Sequence, residues 1–170
     1  MSLEVIVGCM FAGKTRAIIK RAVEAVEAGR HPLVLKPTID DRYSKTQVVS
    51  HDGQRFGALD LCVPLPTGDP IIIDEGQFLD SDTVQHVLTV SRSANIIVAG
   101  LDLNWRGEPF GPMPIFLSFA DSVVKLKATC ACCRQPASRT QRVVDDASDI
   151  LVGGTEAYEP RCISCFKPPR

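Results

Sequence analysis

The chain has 170 residues, a length that suits one domain with a sizeable buried core and leaves room for a small appendage. Its net charge of −1 offers no electrostatic footprint for nucleic acid or for an anionic membrane surface. No apolar run approaches the roughly 20 residues that span a bilayer, and Met1 to Glu4 lack the basic and apolar regions of a signal peptide. We therefore expect a cytoplasmic protein with neither a nucleic-acid partner nor a membrane partner.

The first two-thirds of the chain alternate between predicted strands and helices. The predicted strands are residues 3–7, 32–36, 71–73 and 95–99, and the predicted helices are residues 15–28 and 80–91, the second with Asp80 or Ser81 as its N-cap. The strands are continuous apolar runs, which is typical of strands covered on both faces. The sequence therefore predicts an α/β fold with a largely parallel sheet.

The loop after the first strand fits the phosphate-binding pattern G-x-x-x-x-G-K-[ST]. Its residues are Gly8, Cys9, Met10, Phe11, Ala12, Gly13, Lys14 and Thr15. Glycines let successive backbone N–H groups surround an anion, and the helix N-terminus adds the positive end of its dipole. The lysine reaches the outer phosphates and the threonine hydroxyl ligates Mg²⁺. A glycine-rich turn without a ligand is the alternative, but the matching strand and helix on either side favour a site for ATP with Mg²⁺.

The strand at residues 71–73 ends in two acids, Asp74 and Glu75, which is the form of a Walker B element. An aspartate in this position can hold Mg²⁺ directly or through water. Glu75 can take a proton from an attacking hydroxyl, a contribution of typically about 10²–10⁴-fold. The attacking group is water in an ATPase and a substrate hydroxyl in a kinase, and the pattern leaves both open. A surface acid pair at the end of a core strand is the alternative without function.

Beyond about Lys127 the composition changes to cysteines, arginines and a Gly-Gly pair. We place a boundary there, between a P-loop α/β ATP-binding domain at residues 1–127 and a zinc-binding domain at residues 128–170. The second part holds two C-x-x-C pairs, Cys130 with Cys133 and Cys162 with Cys165. Four thiolates form a closed tetrahedral Zn²⁺ site, and the chain between the pairs then becomes a loop closed at its base. Two redox-active pairs are the alternative, but no thioredoxin-like context surrounds either of them.

The remaining cysteines receive simpler interpretations. Cys132 is predicted to be a bystander of the metal site. Cys9 and Cys62 are most simply packed thiols, although Cys9 lies inside the phosphate loop and can be reactive there.

Together these residues resemble the type II thymidine kinases, the cytosolic zinc-containing kind, over nearly the whole length. The stretches that carry the resemblance are the phosphate loop, Lys36-Pro37, Asp40-Asp41-Arg42-Tyr43-Ser44, Ser50-His51-Asp52-Gly53, Asp74-Glu75-Gly76-Gln77-Phe78, Gly100-Leu101-Asp102, residues 106–110, both cysteine pairs, and Val152-Gly153-Gly154 leading to Tyr158. The chain departs from the usual pattern at Cys9, where the family has proline, and at Arg139, where it has an aromatic residue. His51 belongs to a matching stretch but receives no chemical role.

The resemblance implies a RecA-like domain with a mostly parallel sheet and a small C-terminal zinc-binding lobe that carries a lasso loop. It implies ATP-dependent phosphorylation of the 5′-hydroxyl of thymidine, and of deoxyuridine, in the pyrimidine salvage that supplies DNA synthesis. Structural Zn²⁺ and Mg²⁺ with ATP are the implied cofactors. A homotetramer is implied as the assembly, and thymidine triphosphate as a feedback inhibitor.

The resemblance also implies residue roles. Glu75 matches the catalytic base, Arg42 neutralises charge on the transferred group, and Asp40 and Gln77 lie near the phosphates. Thr15 and Asp74 are the implied Mg²⁺ ligands. The implied substrate pocket consists of Met10, Phe78, Leu101, Trp105 and Thr140, of the lasso residues Asp149, Ile150, Leu151, Val152 and Gly153, and of Tyr158, which closes over the nucleoside.

Two other functions compete with this interpretation. A RecA-like ATPase with a zinc ribbon would use Glu75 to activate water and move a partner. A zinc-ribbon binding module would sense nucleotide or nucleic acid without turnover, and the charge balance disfavours it.

Overall fold

The structure is a computed structural model that describes residues 1–37, 46–50, 52–145, 148, 151 and 153–168. Its strands are β1 (Ser2–Val7), β2 (Leu33–Lys36), β3 (Gln47–Val49), β4 (Arg55–Gly57), β5 (Leu59–Asp60), β6 (Ile71–Ile73), β7 (Asn95–Gly100), β8 (Ser122–Lys125), β9 (Ala128–Thr129), β10 (Pro136–Ala137), β11 (Arg139–Arg142) and β12 (Tyr158–Arg161). Its α-helices are α1 (Lys14–Glu27), α2 (Ser81–Val90) and α3 (Met113–Phe119), and a 3-10 helix spans Gly76–Phe78.

A six-stranded sheet in the order β5-β2-β6-β7-β1-β8 forms the centre of the fold. All of its strand pairs are parallel, which confirms the α/β fold with a parallel sheet. Since parallel strands end at the same edge, the loops after β1, β6 and β7 lie side by side there. This edge is where ligands bind in open α/β sheets.

Successive residues of the central strands face opposite sides of the sheet, so that each strand contributes to two cores. One core joins the sheet to α2 and α3; its members include Val5, Ile73, Val98, Val87 and Phe116. The other joins the sheet to α1; its members include Ile6, Ile72, Ile97, Ile18 and Ala22. Burial on both faces explains the continuous apolar runs, and each fully buried aliphatic side chain contributes roughly 1.5–3 kcal/mol.

The helix starts follow from local chemistry. Gly13 adopts a left-handed conformation, φ 87°, directly before α1, where a side chain would be unfavourable. The carboxylate of Asp80 accepts a hydrogen bond from the backbone N–H of Thr83 at 2.8 Å and caps α2. Of the two N-caps that the sequence allows, the structure therefore has Asp80.

After β8 the described chain changes from the parallel sheet to two small antiparallel pairs, β9 with β10 and β11 with β12. A further antiparallel pair, β3 with β4, packs Val48 into the core beneath α1. A domain boundary between residues 127 and 128 stays a prediction. In the described part of the chain, no helix has the length and apolar character needed to cross a membrane.

Candidate active site

The phosphate loop connects β1 to α1 at the carboxyl edge of the sheet. A Cβ at Gly8 would lie 2.6 Å from the carbonyl oxygen of Leu126, so the loop can take this path only with glycine there. The Nζ of Lys14 donates a hydrogen bond to the carbonyl oxygen of Cys9 at 3.0 Å, which folds the side chain back over the loop. Burial lowers the pKa of Lys14 from its ordinary value, and the carboxylates of Glu75 and Asp74 oppose that shift. The loop thus has the geometry of an anion site.

Two oxygen-bearing side chains from different elements meet beside this loop. The Thr15 hydroxyl at the start of α1 donates a hydrogen bond to Oδ2 of Asp74 at 3.2 Å. Asp74 follows β6 and is buried, and its Oδ1 accepts a hydrogen bond from the backbone N–H of Glu75 at 2.9 Å. Hydroxyl and carboxylate oxygens are the ligands that Mg²⁺ prefers. The residues present therefore fit the predicted Mg²⁺ position.

Glu75 has an unusual backbone conformation. Its φ of 52° and ψ of 41° place it in the left-handed region, directly before the 3-10 helix, at a cost of about 1–3 kcal/mol for a residue with a side chain. The chain can turn here because Gly76 has no side chain; a Cβ would lie 2.6 Å from Cγ1 of Val98. This sharp turn aims the Glu75 side chain into the cleft, among the residues that line it.

Gln77 connects Glu75 to the neighbouring strand. Its Nε2 donates a hydrogen bond to the Glu75 carboxylate, and its Oε1 accepts one from the backbone N–H of Leu101 at 3.0 Å. Gln77 is only 3% exposed, so that both bonds are shielded from water. These two hydrogen bonds orient the Glu75 carboxylate. A contact between Gln77 and the phosphates stays a prediction.

A cleft of about 310 Å³ joins these groups to an apolar and aromatic wall. This volume is at the lower end of the usual range for small-molecule sites. Its lining includes Lys14, Thr15, Asp74 and Glu75 on the phosphate side, together with Met10, Phe78, Leu101, Trp105, Thr140, Leu151, Gly153 and Tyr158 from the predicted substrate pocket. The structure thus brings these predicted phosphate and substrate residues together, whereas Gly8, Cys9 and Ala12 of the phosphate loop are not part of the lining.

Some predicted positions fall outside the described residues. They are Asp40 and Arg42 beside the phosphates, His51, and the lasso residues Asp149, Ile150 and Val152. Their roles stay predictions.

Three residues in or beside the cleft received no site role from the sequence pattern. Lys36 ends β2, is buried, and lines the cleft; its position at the end of an apolar strand was the available signal. Phe110 also lines the cleft and packs edge-on against Phe78, with ring centroids 5.7 Å apart. Arg142 received no role, although it contacts Trp105 and Tyr158 in the cleft wall.

The four predicted zinc ligands form one cluster. The sulfur atoms of Cys130, Cys133, Cys162 and Cys165 all lie within 4.8 Å of one another, close to the spacing of roughly 3.8 Å that a tetrahedral ion with Zn–S bonds of about 2.3 Å requires. Burial opposes ionisation of Cys130, but nearby backbone N–H groups outweigh it and lower its pKa to about 6. The hydrogen bond with Cys133 lowers the pKa of Cys162, whereas the hydrogen bond with Cys162 raises the pKa of Cys165 to about 12. The fit to zinc therefore rests on the positions of the four sulfur atoms. The donor set fits a closed structural zinc site.

The phosphate loop packs directly on this cysteine cluster. Cys9 is 2% exposed and belongs to one apolar cluster with Cys130, Ala137 and Cys162. Its Sγ lies 3.5 Å from the carbonyl oxygen of Ala137. One residue further on, the backbone N–H of Met10 donates a hydrogen bond to Oγ1 of Thr140 at 3.0 Å. The conformation of the loop is therefore coupled to the lobe that the metal would hold.

This packing decides between the two interpretations of Cys9. Burial raises the pKa of its thiol, which makes Cys9 a packed thiol with little thiolate. The same interpretation was wrong for Cys62, which is exposed. Cys132 is also exposed and lies outside the four-sulfur cluster, with its sulfur against the Arg161 guanidinium.

Iodoacetamide at about pH 8 is expected to alkylate Cys62 at least about ten times faster than Cys9 in the folded protein, because the reaction needs an accessible thiolate. Mass spectrometry of peptides from samples quenched at successive times measures both rates together. In urea, where both thiols are exposed, the difference should disappear. Equal rates in the folded protein would contradict the burial of Cys9.

Comparison with known families supplies the last observation. The family model described as thymidine kinase matches residues 1–166 of the 170. The match covers the phosphate loop, the acids after β6 and both cysteine pairs, and so extends across the whole cleft described above. The chain belongs to the thymidine kinase family.

Proposed function

We propose that the protein transfers the γ-phosphoryl group of ATP to the 5′-hydroxyl of thymidine, and also of deoxyuridine, with Glu75 as the general base. One observation carries the proposal. A single cleft is lined by the phosphate loop, by Glu75, and by an aromatic and apolar wall. A phosphoryl donor on the loop side and a planar uncharged acceptor against this wall would therefore meet in one site. Holding both reactants in one site lowers the barrier by removing the entropy loss of their encounter.

The phosphate side of the cleft would bind the donor. The backbone N–H groups of the loop and the Nζ of Lys14 hold the phosphates, and Thr15 and Asp74 hold Mg²⁺. Bound Mg²⁺ would supply charge neutralisation at the β- and γ-phosphates. By the family resemblance, Arg42 would stabilise charge on the transferred group, with Asp40 and Gln77 nearby.

Glu75 would accept the proton of the nucleoside hydroxyl as its oxygen attacks phosphorus. Its strained backbone and its hydrogen bond from Gln77 support this role, because both hold the carboxylate in one direction. A base within hydrogen-bond reach of the hydroxyl contributes typically about 10²–10⁴-fold.

The apolar side would bind the base of the nucleoside. Met10, Phe78, Leu101, Trp105 and Thr140 would surround the ring, and the backbone of residues 149–153 would hydrogen-bond its polar edge, with Tyr158 closing over the nucleoside. A ring bound in this way is shielded from water, and this shielding strengthens the hydrogen bonds at its polar edge.

Further features follow from the family resemblance. We propose that the protein works in pyrimidine salvage in the cytoplasm, as a homotetramer that thymidine triphosphate inhibits. We also propose that residues 1–127 bind ATP and that residues 128–170 form the zinc-binding lasso domain.

Incubation with ATP, Mg²⁺ and thymidine tests the proposal. Thymidine monophosphate should appear in equal amount to ADP, and omission of nucleoside should stop ATP consumption. A parallel reaction with deoxyuridine tests the breadth of the acceptor site. Equal ATP consumption with and without nucleoside, and no monophosphate, would favour the RecA-like ATPase instead.

A further inference from the structure

Arg142 lies at the end of β11, where it pairs with Tyr158 of β12. It is 7% exposed. Trp105 and Tyr158 line the cleft, and Arg142 contacts both of them without itself joining the described lining. An arginine is rarely this buried unless its guanidinium group is paired, and its planar fork of donors can bind several partners at once.

The guanidinium group donates hydrogen bonds in two directions. Nη2 donates to the hydroxyl of Tyr158 at 3.0 Å, and Nη1 donates to the carbonyl oxygen of Ser148. The Tyr158 hydroxyl in turn donates to the carbonyl oxygen of Leu151 at 2.8 Å. One arginine, directly and through one tyrosine, thus holds two backbone carbonyls of the segment that borders the cleft.

The same guanidinium group also covers the ring of Trp105. Its Cζ lies 4.1 Å from the ring centroid, which is a close cation–π contact. Trp105 comes from the loop after β7, whereas Ser148 and Leu151 come from the loop between β11 and β12. Arg142 therefore joins two walls of the cleft that belong to distant parts of the chain.

We propose that Arg142 is a positioning residue that sets the affinity for the nucleoside acceptor by holding Trp105, Tyr158 and the backbone carbonyls of Ser148 and Leu151 in one arrangement. Two loops that are ordered in advance lose less conformational entropy when the acceptor binds. In the proposed function the ATP phosphates would contact the phosphate loop and not the wall that Arg142 holds, so the effect should fall on the nucleoside. This inference rests on the proposed function.

The test compares Arg142→Met and Arg142→Lys with the wild type. Arg139→Met is the matched control, because Arg139 begins the same strand and, among the described residues, its guanidinium group donates hydrogen bonds to the adjacent Ser138. We expect Arg142→Met to raise the KM for thymidine by at least about tenfold while the KM for ATP stays within about twofold. Arg142→Lys should fall in between, since lysine keeps the cation but lacks the planar fork that reaches two acceptors. Arg139→Met should match the wild type.

Trp105 supplies a second readout, because it is the chain's single tryptophan. Two guanidinium groups lie over its ring, Arg142 at 4.1 Å and Arg106 at 4.7 Å from the centroid. We expect its fluorescence emission to shift in unliganded Arg142→Met, where the ring loses the nearer of the two, and to stay unchanged in Arg139→Met. A general loss of structure is checked by thermal unfolding and zinc content. A purely structural role would raise both KM values together.

Each result decides the matter. A folded Arg142→Met with unchanged KM for thymidine, or with equal increases in both KM values, overturns the inference. If Arg142→Met does not fold, Arg142→Lys is decisive by the same criteria. If the wild type shows no thymidine-dependent ATP consumption, the proposed function is wrong. In that case the Trp105 emission still tests the positioning role, and unchanged emission in the Arg142 variants would overturn it.

Discussion

Glu75→Gln is expected to lower kcat for thymidine phosphorylation by about 10²–10⁴-fold while ATP still binds. Glutamine has the shape of glutamate, and its amide oxygen can accept the hydrogen bond that Gln77 donates to Glu75. It cannot accept a proton at neutral pH, so the proposed base function is removed, together with one of the two carboxylate charges that oppose the lowered pKa of Lys14. Rapid-quench measurement of thymidine monophosphate, beside equilibrium binding of a non-hydrolysable ATP analogue, separates the chemical step from binding.

Glu27→Gln is the matched control for this experiment. Glu27 is an exposed residue at the end of α1, far along the helix from the phosphate loop. The Glu27→Gln variant lacks one carboxylate that lies away from the cleft, so it should keep the kcat of the wild type. Full activity in Glu75→Gln would remove Glu75 from the base role.

Cys162→Ser is expected to abolish both zinc binding and nucleoside binding. Apparent binding energies of structural zinc reach about 10–16 kcal/mol in small zinc-binding peptides, which is comparable with the whole stability of a domain, about 5–15 kcal/mol. The lobe has little other core, since its two strand pairs are short and its apolar cluster is built around Cys130 and Cys162. Loss of the metal should therefore release Thr140 from the phosphate loop and Arg142 from Trp105.

Three measurements check this outcome. Metal analysis should find about one zinc per wild-type chain and almost none in the variant. Limited proteolysis should cut the variant within residues 128–168, and calorimetry should detect no thymidine binding. Cys132→Ser is the control, because Cys132 is exposed and lies outside the four-sulfur cluster; it should retain zinc and activity. A zinc-free wild type that is fully folded would contradict the role of the cysteines.

Sequence reasoning located the elements with strong local patterns. The strands before the phosphate loop and before Asp74 were predicted within one residue, because each is an apolar run that ends at a chemically distinct position. It missed α3 and β8. The helix α3 has seven residues and contains Pro114, and β8 is an edge strand whose residues are mostly exposed. Short or half-exposed elements leave too weak a periodic signal to separate them from loops.

The phosphate loop, the acid pair after β6 and the zinc ligands were readable from the chain alone, because their chemistry requires particular residue types at fixed short spacings. The partners of Cys9, Gln77 and Arg142 were not. Cys9 rests on Ala137, Gln77 bonds the backbone of Leu101, and Arg142 covers Trp105. Each of these contacts joins residues more than 20 positions apart, so it depends on which strands are neighbours and on how closely the lobe packs on the loop. Only the tertiary structure could show that the thiol in the phosphate loop is a buried packing group and that an unassigned arginine joins two walls of the cleft.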